Sequence, residues 1–270
     1  MAKLYWLKAG LLASIALNIF QFQGGNLKAM AKDILYISSL TLNIKQECPK
    51  SSFVIAFFGQ SNSANHVSRS KHIHLNNVYM YDPKSQRCYK YKEPVLGASG
   101  NQGNVITNLA LKLRRRLKKP ITIIAFGESG SSVLDWQYGK YSDKLDRAMA
   151  AWGKLNGINI FLWHQGETDA MREMGEATYF ETLSKIILRT QKIFPSSKFG
   201  VSIATACGSS KSLEIQKAQR KSTLLPNVFK SAESDYLSNE FRSDNCHFNE
   251  KGAKKLADMY YESITQIISL

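Results

Sequence analysis

The stretch SFVIAFFGQSNSAN, Ser52 to Asn65, decides the fold. Its first half is an apolar run closed by Gly59, the pattern of a buried strand. Its second half turns polar at once, and Ser61 stands where the chain leaves the strand. A serine in such a place is commonly a turn residue or a helix cap. A second reading makes Ser61 a nucleophile raised at the carboxyl edge of a sheet. The rest of the chain has to decide between them.

From Ser51 onward the pattern is rhythmic. SFVIAFFG, ITIIAFG, GINIFLWHQG, KFGVSIATAC and the shorter NVFKSAE read as strands. VITNLALKLRRRLKKP, SDKLDRAMAAWGKL, TYFETLSKIILRTQKIF, LEIQKAQRKSTLL and NEKGAKKLADMYYESITQII read as helices between and after them. VYMYDPKSQRCYKY, Val78 to Tyr91, reads as a hairpin or an irregular excursion. Apolar strands alternating with helices predict a central parallel sheet covered on both faces, a three-layer α/β/α sandwich. There is no internal repeat and no low-complexity tract.

The chain has 270 residues, of which 44% are hydrophobic, enough for one domain with a sizeable core. Residues 51–270 form that domain and 26–50 a connecting segment. The start differs. Lys3 and Lys8 precede Ala9–Phe20, a stretch without charge. A basic start before a short apolar run makes residues 1–25 a signal peptide or an uncleaved membrane anchor. A buried N-terminal helix is the plainer alternative. Export, to the periplasm, the cell envelope or the medium, is the expectation. The net charge is +15, densest in KLRRRLKK, Lys112 to Lys119. That run continues a helical pattern and stops at Pro120, so it reads as a solvated helix end favoured by the helix dipole. No nucleic-acid motif accompanies it, and a nucleic-acid partner is not expected. The charge suits an anionic polysaccharide or a membrane surface.

In open α/β sheets the sites lie beyond the carboxyl ends of the strands. Four clusters fall there: Gly59-Gln60-Ser61-Asn62; GESGSSVLDW, Gly127 to Trp136; WHQGETDA, Trp163 to Ala170; and, after the last strand, SDNCHFN, Ser243 to Asn249. A serine attacks an acyl carbon only if a base takes its proton, and histidine suits that role near neutral pH. Of the five histidines, His247 alone follows an aspartate, Asp244, by three residues in a loop before a helix. Such a carboxylate can orient one ring nitrogen while the other faces a nucleophile. An oxyanion needs donors, and Gly130 (backbone N–H) and Gln165 (side-chain amide) stand at strand ends. Each has an ordinary reading as a turn glycine or a satisfied polar residue. Together they are harder to dismiss.

GQSN, GSSVLDW, WHQGETD and DNCHFNEKG together resemble the SGNH/GDSL hydrolases, and within them the sialate O-acetylesterase-like group, carbohydrate esterase family 6. The resemblance runs over roughly residues 51–265. It implies a flavodoxin-like strand order and a Ser61, His247, Asp244 triad, with the oxyanion held by Ser61, Gly130 and Gln165. Gln60, Asn62 and Glu167 become supporting residues, Glu167 by hydrogen bonding. No metal or cofactor is implied. The second block departs from the group's Gly-Gly-Thr, reading Ser129-Gly130-Ser131.

Four cysteines, Cys48, Cys88, Cys207 and Cys246, allow three pairings in an oxidising compartment, or four free thiols in a reducing one. Cys207 ends a strand and Cys246 lies between Asp244 and His247, both near the crevice rim, which favours Cys207–Cys246 and leaves Cys48–Cys88. The expected activity is removal of O-acetyl groups from a glycan through an acyl-enzyme. An O-acetyltransferase using the same serine, or an inactive glycan-binding module, are the alternatives.

Overall fold

A computed structural model describes residues 45–46, 48–69, 72–153 and 157–268. The expected leader, 1–25, and most of the connecting segment lie outside them. An eight-stranded sheet carries the fold. Its strands are β1 (Lys45–Gln46), β2 (Phe53–Gly59), β3 (His74–Asp82), β4 (Arg87–Lys92), β5 (Ile121–Ala125), β6 (Ile160–His164), β7 (Lys198–Ile203) and β8 (Val228–Glu233). They are ordered β1-β4-β3-β5-β2-β6-β7-β8, and every pair from β3 to β8 is parallel. The run β5-β2-β6-β7-β8 is the flavodoxin-like order expected, with β2 between β5 and β6. The Val78–Tyr91 excursion is a hairpin whose first strand extends the sheet beside β5 and whose second, β4, is antiparallel. Asp82 fixes its turn by accepting from the backbone of Lys84 and Ser85, each at 3.1 Å.

The helices are α1 (Ile106–Leu117), α2 (Val133–Gln137), α3 (Ser142–Gly153), α4 (Glu167–Met171), α5 (Glu176–Ile193), α6 (Leu213–Ser222) and α7 (Glu250–Ile268). Ser132 and Asp135 form a capping box that starts α2, and Ser212 caps α6. Alternate residues of β2 enter opposite layers. Ile55 and Phe57 pack with Leu109, Leu113, Leu256 and Tyr260 from α1 and α7. Ala56 and Phe58 pack with Trp136, Trp152, Leu183 and Ala218 from α2, α3, α5 and α6. Both faces of β2 are therefore dry, which is why its sequence is apolar without alternation. No described helix is long and apolar enough to cross a membrane.

Candidate active site

The central strand delivers the first cluster. Gly59 has φ +129°, and a Cβ there would stand 2.1 Å from the carbonyl oxygen of His164. Only glycine lets β2 run this close to β6 and turn. Gln60 N–H then donates to that same carbonyl at 3.0 Å, and Ser61–Ser63 make a 3₁₀ turn closed by Ala64 N–H on Ser61 O at 2.9 Å. Ser61 is 3% exposed. Among the described residues its Oγ has no hydrogen-bond partner.

Its neighbours hold the other clusters. Gln60 Oε1 accepts from Thr168 N at 3.0 Å and from Gly166 N and Gln165 Nε2 at 3.3 Å, fastening the first block to the third. The Asn62 amide donates to Glu167 Oε1 at 2.8 Å and to the carbonyl of Cys246 at 3.2 Å. That single amide joins the serine turn to the loop bearing His247. Arg242, buried, also donates to Cys246 O and caps the ring of Phe248 at 4.5 Å. The disulfides are Cys48–Cys88 and Cys207–Cys246, the pairing expected, and the second ties this loop to the segment after β7.

Within the loop, Asp244 Oδ2 meets His247 Nδ1 at 2.7 Å, while Oδ1 accepts from His247 N at 2.6 Å and Cys246 N at 3.1 Å. Burial pushes the Asp244 carboxyl up, but His247 and the two backbone donors outweigh it and hold it below the usual aspartate range. An ionised carboxylate on Nδ1 keeps the hydrogen there and leaves Nε2 the acceptor. His66, five residues beyond Ser61, stacks on His247 with centroids 5.0 Å apart and planes at 22°. Burial, then the charge of His247, lowers the His66 pKa against the pull of Asp244. Its Nε2 is buried without a partner among the described residues.

Glu167 is buried, and burial pushes its carboxyl up. His164 and Asn62 outweigh that and leave it lowered. His164 Nε2 lies 3.5 Å from Glu167 Oε1, and its Nδ1 meets the Tyr260 hydroxyl at 2.7 Å. Glu167 thus belongs to a chain of buried polar groups that runs from Asn62 through His164 into α7.

The two remaining residues expected to hold an oxyanion differ sharply. Gly130 is exposed, has φ +67°, and has open space where a Cβ would be. Its turn is anchored by Glu128 N–H and Ser131 Oγ, both donating to Gly59 O, at 2.9 and 3.2 Å. Gln165 is fully buried. Its Nε2 faces Asp169 Oδ2 at 2.5 Å, Ser131 O at 3.0 Å and Gln60 Oε1 at 3.3 Å, so two hydrogens meet three protein acceptors. Its Oε1 accepts from Tyr179 at 3.0 Å. The amide turns inward, where it grips the second block.

Asp169, which sequence reasoning did not single out, completes that grip. It accepts from Ser132 Oγ and from Val133 N at 2.9 Å, and burial raises its pKa against those hydrogen bonds. Its only signal in the sequence was its spacing of four residues from Gln165 at the start of a helix. Gln165→Ala should leave Asp169 short of a donor in a dry site. The loss of a hydrogen bond to a buried carboxylate costs about 1.5–3 kcal/mol, and kcat should fall roughly a hundredfold as the Gly130 turn loosens. Paired melting and kinetic measurements check this. A full kinetic loss without any fall in melting temperature would return Gln165 to the oxyanion hole.

A parallel α/β sandwich with a serine, an Asp-x-x-His pair and a glycine turn gathered at its carboxyl edge defines a hydrolase of the SGNH type. The chain belongs to the family of carbohydrate esterases described as sialic acid-specific acetylesterases, whose profile matches residues 51–266. It is a carbohydrate O-acetylesterase. A protein of Arabidopsis thaliana is similar in fold, with a TM-score of 0.61 at 16% identity over 80% of this chain and 98% of its own. NanS matches with a TM-score of 0.60 at 14% identity, over 83% of this chain and 99% of its own. A carbohydrate acetylesterase from Xanthomonas citri gives 0.59 at 14%, over 80% of this chain and 56% of its own. No curated protein is significantly similar to the chain in sequence.

Proposed function

We propose that the protein removes O-acetyl groups from a glycan, a sialic acid or another acetylated sugar, through an acetyl-enzyme on Ser61, in an exported setting. The observation that carries this is the Asn62 amide, which ties the turn of Ser61 to the loop in which Asp244 orients His247. Ser61 Oγ attacks the acetyl carbonyl and its proton passes to His247 Nε2. The ionised Asp244 stabilises the imidazolium that forms. The N–H groups of Ser61 and Gly130 hold the oxyanion, and the Gln165 amide positions the Gly130 turn through Ser131 O. As the C–O bond breaks, His247 passes the proton to the departing sugar oxygen, which leaves as a hydroxyl. A water activated by the same nitrogen cleaves the acetyl-enzyme and releases acetate. Two disulfides support an oxidising compartment. A fluorophosphonate probe followed by peptide mass mapping tests the nucleophile. Labelling at Ser61 is expected, and labelling elsewhere would overturn the scheme. Release of acetate from O-acetylated sialic acid against acetylated xylan assigns the sugar.

His66 gives this site a pH signature. A histidine with a lowered folded pKa contributes stability that is present above about 6.5, its unfolded value, and is lost as pH falls below that toward the folded one. Asp244 is shifted in the same direction, and its contribution is lost only below the ordinary aspartate range. The melting temperature should therefore begin to fall just below pH 6.5, and His66→Asn should flatten that first decline. Superimposable pH profiles for the two proteins would remove His66 from the account.

A further inference from the structure

The positive charge of this chain is polarised. The parallel strands all begin at one edge, opposite the edge that carries Ser61 and Gly130. The segments leading into them, 48–52, 72–73, 118–120, 157–159, 194–197 and 223–227, contain no aspartate or glutamate. Lys50, Arg115, Arg116, Lys118 and Lys119 are exposed there, and so is Lys198 at the first position of β7. Lys198 Nζ rests on a neutral partner, Asn227 Oδ1, at 2.7 Å. None of these six is in an ion pair among the described residues. The acidic groups Asp82, Glu128, Glu233 and Asp244 gather at the opposite edge, at or beyond the strands' carboxyl ends.

An apolar feature lies among the cations. A cavity of about 480 Å³ opens at the same edge, lined by Met149, Ile158, Ile193, Phe194 and Pro195. Ile193 is 44% exposed, and Leu224, in the turn before β8, is 84% exposed. An acidic polymer would match the cations and leave the cavity and Leu224 without a partner. A bilayer with anionic headgroups matches both, since basic side chains meet the phosphates while apolar ones enter the acyl boundary. The uncharged run Ala9–Phe20 precedes the domain in the same chain.

We propose that the edge where the strands begin is a docking surface for an anionic lipid bilayer, which turns the catalytic edge away from the membrane. Each cation near such a surface strengthens partitioning by roughly fivefold, and salt weakens the effect. The test is sedimentation of the full chain with phosphatidylcholine vesicles, with and without phosphatidylglycerol. A variant carrying Arg115→Ser, Arg116→Ser, Lys118→Ser and Lys119→Ser is compared with a control carrying Lys211→Ser, Lys217→Ser, Lys251→Ser and Lys254→Ser. The control removes the same charge elsewhere. Binding through the apolar run would be equal in all three proteins and equal on both vesicle types. The expected result is a loss of at least roughly tenfold for the edge variant, on phosphatidylglycerol vesicles alone, with the control close to wild type. Turnover of p-nitrophenyl acetate should be the same for the edge variant and wild type, which reports an intact fold. Equal binding by the edge variant, or an equal loss in the control, would overturn the proposal. Edge-dependent binding to polygalacturonate without binding to vesicles would assign the surface to a polymer and overturn it too.

Discussion

Replacing Ser61 by alanine should abolish nearly all turnover on acetyl esters and leave the protein folded. Deleting a triad serine lowers kcat by on the order of a million-fold, with the remainder coming from substrate binding and the oxyanion donors. Stability should change little, because the Ser61 Oγ has no hydrogen-bond partner to lose among the described residues. The backbone contacts of the turn, such as Ala64 N–H on Ser61 O, are untouched by the substitution. Release of p-nitrophenol and a circular dichroism melt on the same sample measure both quantities. Hydrolysis at the wild-type rate by a folded Ser61→Ala protein would end the serine mechanism.

Opening the Cys207–Cys246 bond should damage both stability and rate. The two cysteines are 39 residues apart, and closing a loop of that length is worth about 4 kcal/mol in the chain-entropy model. The kinetic loss follows from where the bond sits. Cys246 lies between Asp244 and His247 and offers its carbonyl to Asn62 and Arg242. Small displacements of a base from its nucleophile cost on the order of a hundredfold in rate. A Cys207→Ser, Cys246→Ser protein should therefore melt earlier and turn over more slowly, with Ser61 still present. Gly208 N–H on Asn245 O at 2.9 Å offers a competing restraint across the same junction. If turnover survives while the melting temperature falls, the hydrogen bonds alone place the base, and the bond serves stability only.

The sheet was legible because β2, β5, β6 and β7 are buried on both faces, and a dry strand has to be written as an unbroken apolar run. The carboxyl-edge clusters were legible for a related reason, since polar residues directly after such runs have few places to go but the rim. The edge β1-β4-β3 was less readable. The first half of β3 is largely exposed and β4 sets buried positions between exposed or half-buried ones, and a hairpin of that kind looks the same whether it joins a sheet or stands apart. The clusters at the carboxyl edge named the candidate residues, Gln60, Asn62 and Glu167 included, but not the partners that hold them. Asn62 meets Cys246 across 184 positions of sequence, and Gln60 meets Thr168 across 108. Bonds over such separations exist only once the sheet is assembled. The inward turn of Gln165 is of the same kind, because it depends on Asp169 and Tyr179, whose side chains point at it from two helices. His66 could not be distinguished from an ordinary loop histidine before its ring was found against His247.

The sheet's last strand ends at Glu233, and the aspartate and histidine come only afterwards. Leu256 and Tyr260 of α7 cover the face of β2 that carries Ile55 and Phe57, so one side of the sheet stays open until the segment bearing Asp244 and His247 is in place. A chain truncated after β8 should therefore be unstable as well as inactive. The segment that brings the aspartate and the histidine also seals the core, so folding and esterase activity should arrive together.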